Sequence, residues 1–177
     1  MTKILLSVLI ITAVLVGGYF GYKQISQTPE GKTTPASTIT PVTSPGNQEL
    51  KTFKSKNIQF AVQVPKNFEV QEKIAYVDLI SSVGRINLSR NATNFDSIKD
   101  YLNDFDSKRE VEVSNEVIIN IGAYDSIKRI ENFNIGPIDE QNLYFIYVDN
   151  WVYSISTSTQ SLYPVLDQIA QSFRYIP

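Results

Sequence analysis

Histidine and cysteine are both absent from the 177 residues, and those two gaps remove most familiar catalytic chemistry. A Ser-His-Asp triad, a cysteine nucleophile, a His/Cys zinc site, a disulfide framework and c-type haem attachment each need a group that the chain does not contain. Catalysis would fall to carboxylates, lysine or tyrosine. The lack of disulfides names no compartment, because an oxidising space permits them without requiring them. Basic runs are missing too. Residues 51–177 carry 13 basic and 16 acidic side chains, a net charge of −3, which gives nucleic acid and anionic lipid no electrostatic footing. The 8 glycines are scattered and form no phosphate-binding loop, and no internal repeat is visible.

What is present begins with "KILLSVLIITAVLVGGYFGYK". Residues 4–22 carry no formal charge, and at about 1.5 Å per residue they are long enough to cross a hydrocarbon core of roughly 30 Å. Apolar side chains surround such a helix on all sides, which suits lipid better than a protein core. The run is longer than the apolar region of a signal peptide, and no small-x-small cleavage site follows it. Tyr19 and Tyr22 suit the membrane–water interface. Residues 1–23 therefore read as a retained transmembrane anchor whose partner is the bilayer. Ala13, Gly17 and Gly21 recur every four residues on one face, a pattern that lets two anchors approach closely.

Residues 24–50 are rich in Thr, Ser and Pro and nearly devoid of large apolar side chains, so they cannot offset their own ordering entropy. They read as a disordered spacer reaching about 80 Å at the polyproline rise. Charges flank the anchor on both sides, so orientation rests on this composition, which fits a body outside the cytoplasm.

Residues 51–177 have the size of one domain. "NIQFAVQVP" alternates apolar and polar residues and is expected to open an antiparallel meander continued by "NFEVQEK", "IAYVDLISS" and "GRINLSR". In the last of these Ile86 and Leu88 share one face, with Arg85, Asn87 and Ser89 on the other. Phe95, Ile98, Leu102 and Phe105 then fall at helical spacing, predicting a helix over about 95–105 capped by Asn94. "EVIINIG" and "AYDSIKRIENF" resume strand character around Gly122, and Gly136 and Pro137 open a loop. "NLYFIYVDNWVYSISTS" predicts a hairpin turning at Asp149 and Asn150, with Val148 opposite Trp151, Ile146 opposite Tyr153 and Tyr144 opposite Ile155. Both of its faces are apolar, which requires a sheet covered twice. Leu162, Leu166, Ile169 and Phe173 predict a closing helix that supplies one cover, with Pro164 in its first turn.

In element order, "NIQFAVQVPKNFEV", "GRINLSRNATNFDSIKDYL", "NLYFIYVDNWVYSISTS" and "LDQIAQSFRYI" together resemble the PsbP-like domain over nearly all of residues 52–177. The resemblance implies an α+β fold, an α/β/α sandwich with a central antiparallel sheet. It implies no single activity, since the family joins photosystem subunits that aid calcium and chloride retention to many tethered bacterial proteins of unknown role. No family motif for those tasks is present, so no functional residue is carried over.

Asp96, Asp100 and Asp104, with Asp106 just beyond, form an acidic stripe of the oxygen donors that hard cations take, but a straight helix face does not encircle an ion. It reads as a solvated face. Asp78, Glu131 and Asp149 are conceivable members of a general acid–base pair, which requires two carboxylates converging in a cleft. Lys128, Arg129 and Glu131 read as parts of a cross-strand salt bridge. Tyr147 and Trp151, beside Tyr144 and Tyr153, could form an aromatic platform for peptide or glycan, although central-strand aromatics usually fill the core. "NLS" at Asn87 and "NAT" at Asn91 match the glycosylation acceptor pattern. No catalytic constellation, cofactor site or metal site emerges. The expectation is a non-enzymatic binding or accessory module for a protein or envelope partner; the alternative is a carboxylate-dependent hydrolase of extracellular polymers.

Overall fold

The computed structural model describes residues 49–133 and 140–177. The anchor over 4–22 with Ala13, Gly17 and Gly21, nearly all of the spacer, and the loop at Gly136 and Pro137 lie outside the described residues. Among the described residues no helix is long and apolar enough to cross a membrane.

Among the described residues, ten strands and two α-helices follow in the order β1 (Leu50–Ser55), β2 (Phe60–Pro65), β3 (Glu69–Glu72), β4 (Tyr76–Ser81), β5 (Gly84–Ala92), α1 (Ile98–Ser107), β6 (Val111–Ile121), β7 (Tyr124–Phe133), β8 (Glu140–Val148), β9 (Trp151–Thr157), α2 (Tyr163–Gln171) and β10 (Arg174–Tyr175). Seven strands form one antiparallel sheet in the order β3-β4-β5-β9-β8-β7-β6. The other three form a small sheet in the order β1-β2-β10.

The β8–β9 hairpin has the register its sequence demands: Val148 faces Trp151, Ile146 faces Tyr153 and Tyr144 faces Ile155. Asp149 and Asn150 take φ 46 and 62, the left-handed backbone of a two-residue turn matched to strand twist. Because side chains alternate, this hairpin feeds two cores. Tyr144, Ile146, Val148, Tyr153 and Ile155 join the larger one, which α2 closes with Val165, Leu166, Ile169 and Ala170, helped by Leu162 and Phe173 at its ends. Leu143, Phe145 and Val152 turn the other way and meet Ile98 and Leu102 of α1.

Four expectations need correction. The strand at 60–65 does not open the β3–β4–β5 meander but pairs with β1 and β10, so the layer on the α2 side is a helix plus a small sheet. Alternation shows which face of a strand is buried but not which strand lies beside it. β1, beginning at Leu50 at the end of the expected spacer, shows no apolar alternation because its inner positions are Lys51, Phe53 and Ser55. α1 begins at Ile98, not near 95, and its cap is Ser97, not Asn94. The Ser97 Oγ accepts from the Asp100 N–H at 3.1 Å and donates to Asp100 Oδ2 at 2.6 Å. That reciprocal pair satisfies an end donor of the helix, which Asn94 is too far upstream to reach. Finally, β6 starts at Val111, five residues before the expected strand, because a bulge between Ser114 and Val117 lets the strand continue through Asn115 at φ 51.

Candidate functional site

α1 covers only part of its sheet face. Residues in register across the strands show where the cover ends: Asp78, Asn87, Ser156, Leu143 and Arg129 form one row, and Tyr76, Ser89, Ser154, Phe145 and Ile127 the next. Each row is polar on β4, β5 and β9 and turns apolar on β8, where Leu143 and Phe145 lie in the core beneath α1. The polar half holds a hollow of about 420 Å³ lined by Ala75, Tyr76, Asp78, Arg85, Asn87, Ser89, Arg90 and Asn91.

Its side chains are held across strands. Asn87 Nδ2 donates to Asp78 Oδ1 at 2.9 Å, and the Ser89 and Ser154 hydroxyls lie 2.7 Å apart. Arg85 Nη1 stands 3.7 Å from Asp78 Oδ2, at the outer limit of an ion pair, while its own side chain is 65% exposed. Asp78 is itself buried, so the arrangement offers one loosely held cation, two amides and two hydroxyls on a rigid sheet. Arg90 is fixed differently: Nη1 donates to Gln59 Oε1, and its guanidinium lies 4.0 Å from the centre of the Trp151 ring. A second hollow, lined by Asn57, Glu72, Lys73, Ile74, Ala75 and Tyr76, shares two residues with the first. Its lip is Ile74, 90% exposed at the β3–β4 turn.

Of the acids singled out in the sequence, Asp106 and Glu131 meet at the Arg129 guanidinium and the others are dispersed. Asp100 serves the α1 cap, Asp104 pairs with Lys108, Asp106 pairs with Arg129, and Asp96 is exposed ahead of the helix. No group of three potential metal-binding side chains gathers among the described residues. Asp78 and Glu131 stand on strands four positions apart in the sheet, about 19 Å at the usual strand spacing. Asp149 sits in the hairpin turn. Tyr147 and Trp151 occupy opposite faces: Tyr147 packs beside α1 and donates to the Phe95 carbonyl at 2.9 Å, and Trp151 packs at the edge of the larger core. Tyr144 and Tyr153 are buried. Asn91 is exposed, while Asn87 lies within the hollow.

The Arg129–Glu131 bridge lies within one strand, not across two. Residues two apart share a face, and both side chains are 0% exposed beneath α1. Arg129 reaches both carboxylate oxygens of Asp106 at 2.7 Å, and Arg109 adds a second guanidinium to Glu131. Burial alone would lower the Arg129 pKa, but the Asp106 and Glu131 carboxylates outweigh it and raise it. Lys128 points the other way, to Asp167 of α2 at 2.7 Å, where the Tyr144 hydroxyl also donates. Burial, reinforced by Asp167, pushes the Tyr144 pKa upward; burial and Glu140 do the same to Tyr163. These clusters fasten the two helices to the sheet.

The polar half-face itself was visible as the outward set Arg85, Asn87 and Ser89. Nothing in the sequence distinguished facing water from facing a ligand.

No family model matches the chain, and no curated protein sequence does. Solved structures do. The solution structure of cyanobacterial PsbP from Synechocystis sp. PCC 6803 matches with a TM-score of 0.53 at 11% identity, covering 82% of this chain and 99% of that one. The crystal structure of the Saccharomyces cerevisiae Ran-binding protein Mog1p matches with a TM-score of 0.52 at 10% identity, covering 73% and 96%. Likeness at such identities speaks to architecture, and the chain therefore has the α+β fold shared by PsbP and Mog1p, a large antiparallel sheet with two helices.

Proposed function

We propose that this protein is a membrane-tethered, extracytoplasmic binding or accessory module that acts without catalysis on a protein partner of the cell envelope, through the uncovered half of its large sheet. One observation carries the reading: where α1 stops, the sheet rows change from apolar to a fixed array of Asp78, Asn87, Ser89 and Ser154, with the loosely held Arg85 beside it, around an open hollow. Side chains already ordered by cross-strand hydrogen bonds lose little freedom when a partner docks, which favours binding. The apolar lip of Ile74 beside them supplies the desolvated contact that a polar array lacks. Mog1p, described as a Ran-binding protein, lends the fold a precedent for holding a protein. The charge-free run at 4–22 and the Thr/Ser/Pro-rich stretch after it support the tether.

The test places a photoreactive residue at Ser89 of the full chain in its own membranes. The expected result is a chain that resists high-salt washing and yields one discrete protein adduct, which Arg85→Glu abolishes. A chain that washes free, or adducts indifferent to Arg85→Glu, overturns the reading.

A further inference from the structure

The seven-stranded sheet ends in β3 on one side and β6 on the other, and among the described residues neither has a second neighbour. β3 has 4 residues and offers little edge. β6 has 11. A long edge strand presents a row of unpaired N–H and C=O groups, which proteins blunt with charge, proline or bulges.

The first part of β6 carries such devices. Glu112 and Glu116 are exposed, and the bulge between Ser114 and Val117 interrupts the ladder. The second part carries none. "VIINI", residues 117–121, contains no charge, proline or glycine, and it pairs regularly with β7 from Val117 opposite Lys128 to Ile121 opposite Tyr124. Ile118 is 74% exposed and Val117 52%, so β-branched apolar side chains lie in water beside a free backbone edge.

We propose that residues 117–121 pair antiparallel with the same residues of a second copy, about a two-fold axis through Ile119. The backbone sets the limits: the bulge ends regular strand before Val117, and Gly122, at φ 63, turns the chain after Ile121. An axis through Ile119 uses all five positions, opposing Val117 with Ile121 and Ile118 with Asn120 of the second copy. Moving it to Ile118 would draw Glu116 and the bulge into the ladder.

Charge selects the same occupant. In the Ile119 register Glu116 falls opposite Gly122, so no like charges are opposed, which is the condition for a strand to pair with itself. A basic foreign strand would be drawn to Glu112 and Glu116, but these flank the bulged stretch, which cannot hold a regular ladder. An axis perpendicular to the sheet keeps both α1 layers on one side and both α2 layers on the other, so the helices do not obstruct the contact. Five paired residues from each copy bury less than the roughly 1,200 Å² of a standard interface, so association is weak in dilute solution. It strengthens wherever copies are held together.

The absence of cysteine makes the test direct, because a single introduced thiol has no partner except in another copy. In the full chain, Ile119→Cys would bring Cα atoms about 4.5–5.5 Å apart across the axis, inside the disulfide range of roughly 4.4–6.8 Å. Ile118→Cys would place them on the diagonal, about 7–8 Å apart and outside it. Val83→Cys, 58% exposed at the β4–β5 turn, reports random collision. The double variant Ile118→Cys/Asn120→Cys uses two exposed positions and reads the same register if Ile119→Cys, which is partly buried, fails to fold.

Under mild oxidation the expected result is a covalent dimer of Ile119→Cys and of the double variant, but not of Ile118→Cys or Val83→Cys. Adding Ile118→Lys to Ile119→Cys should weaken association about tenfold, the change that about 1.4 kcal/mol makes in a dissociation constant. Dimer formation no faster than Val83→Cys by both probes of the register, or cross-linking best at Ile118→Cys, overturns the proposal.

Discussion

Glu131→Ala is the most informative single change in the charge cluster beneath α1. The Glu131 carboxylate is 0% exposed and accepts from both Arg129 and Arg109, while the Arg129 side chain is also 0% exposed. Removing the acid leaves Arg129 buried with Asp106 and a distant Glu116 at 3.5 Å, one close carboxylate in place of two. Breaking a buried pair on one side typically costs about 3–5 kcal/mol, because the remaining charge keeps its desolvation penalty and loses its partner. The retained bidentate contact with Asp106 puts the expectation at the low end, about 3 kcal/mol. Arg129→Met/Glu131→Leu removes both charges and fills the space, and such replacements are commonly neutral or stabilising by about 1–4 kcal/mol. Asp106 and Arg109, which lose their partners, tolerate this because their side chains are 34% and 25% exposed, and Arg109 also lies over the Phe105 ring. Urea denaturation followed by far-ultraviolet circular dichroism gives all three values, and the double variant should recover at least the loss seen in Glu131→Ala. Should it prove less stable than the single variant, the cluster would be a net source of stability and the reasoning from an orphaned charge would fail.

Three further outcomes follow from the local geometry. Ser97→Ala should cost about 1 kcal/mol through loss of the α1 cap, while Asn94→Ala should change little; denaturant midpoints separate them. Asn150→Gly should be neutral or stabilising, because φ 62 carries no penalty for glycine, whereas Asn150→Val should destabilise by about 1–2 kcal/mol in the same assay. The raised pKa values of Tyr144 and Tyr163 mean that the folded state holds their protons more tightly than the unfolded chain. Their contribution is therefore complete below the ordinary tyrosine value of 10.0 and declines as pH rises above it. Alkaline unfolding monitored by tyrosinate absorbance should show a smaller loss of stability between pH 9 and 12 in Tyr144→Phe than in the parent, and identical slopes would refute the linkage.

The parts of the fold legible in the sequence were those fixed by near neighbours. The β8–β9 register follows from alternation on both sides of an Asp-Asn turn, and α2 from the spacing of Leu162, Leu166, Ile169 and Phe173. What remained hidden depended on distant partners. β2 joins β10 from the far end of the chain, and no local pattern encodes that choice. Ser97 and Asn94 are both good caps three residues apart, so Phe95 was drawn into a helix that excludes it. Arg129 and Glu131 read as parts of a cross-strand bridge, because their burial within one strand depends on Asp106 and Arg109, which only the packed structure brings near. In the candidate site, the outward set on β5 was readable as a face, but the hollow forms only because α1 stops short of it.

The three-stranded sheet has a consequence for biogenesis. Its middle strand is β2, yet one flank comes from Arg174 and Tyr175, and the Gln63 N–H is satisfied by a serine hydroxyl 109 residues downstream. Synthesis must therefore pass Tyr175 before this layer can close. Until then Phe60 lacks the ring of Phe173 that stacks against it, and a nascent chain waits with that surface bare.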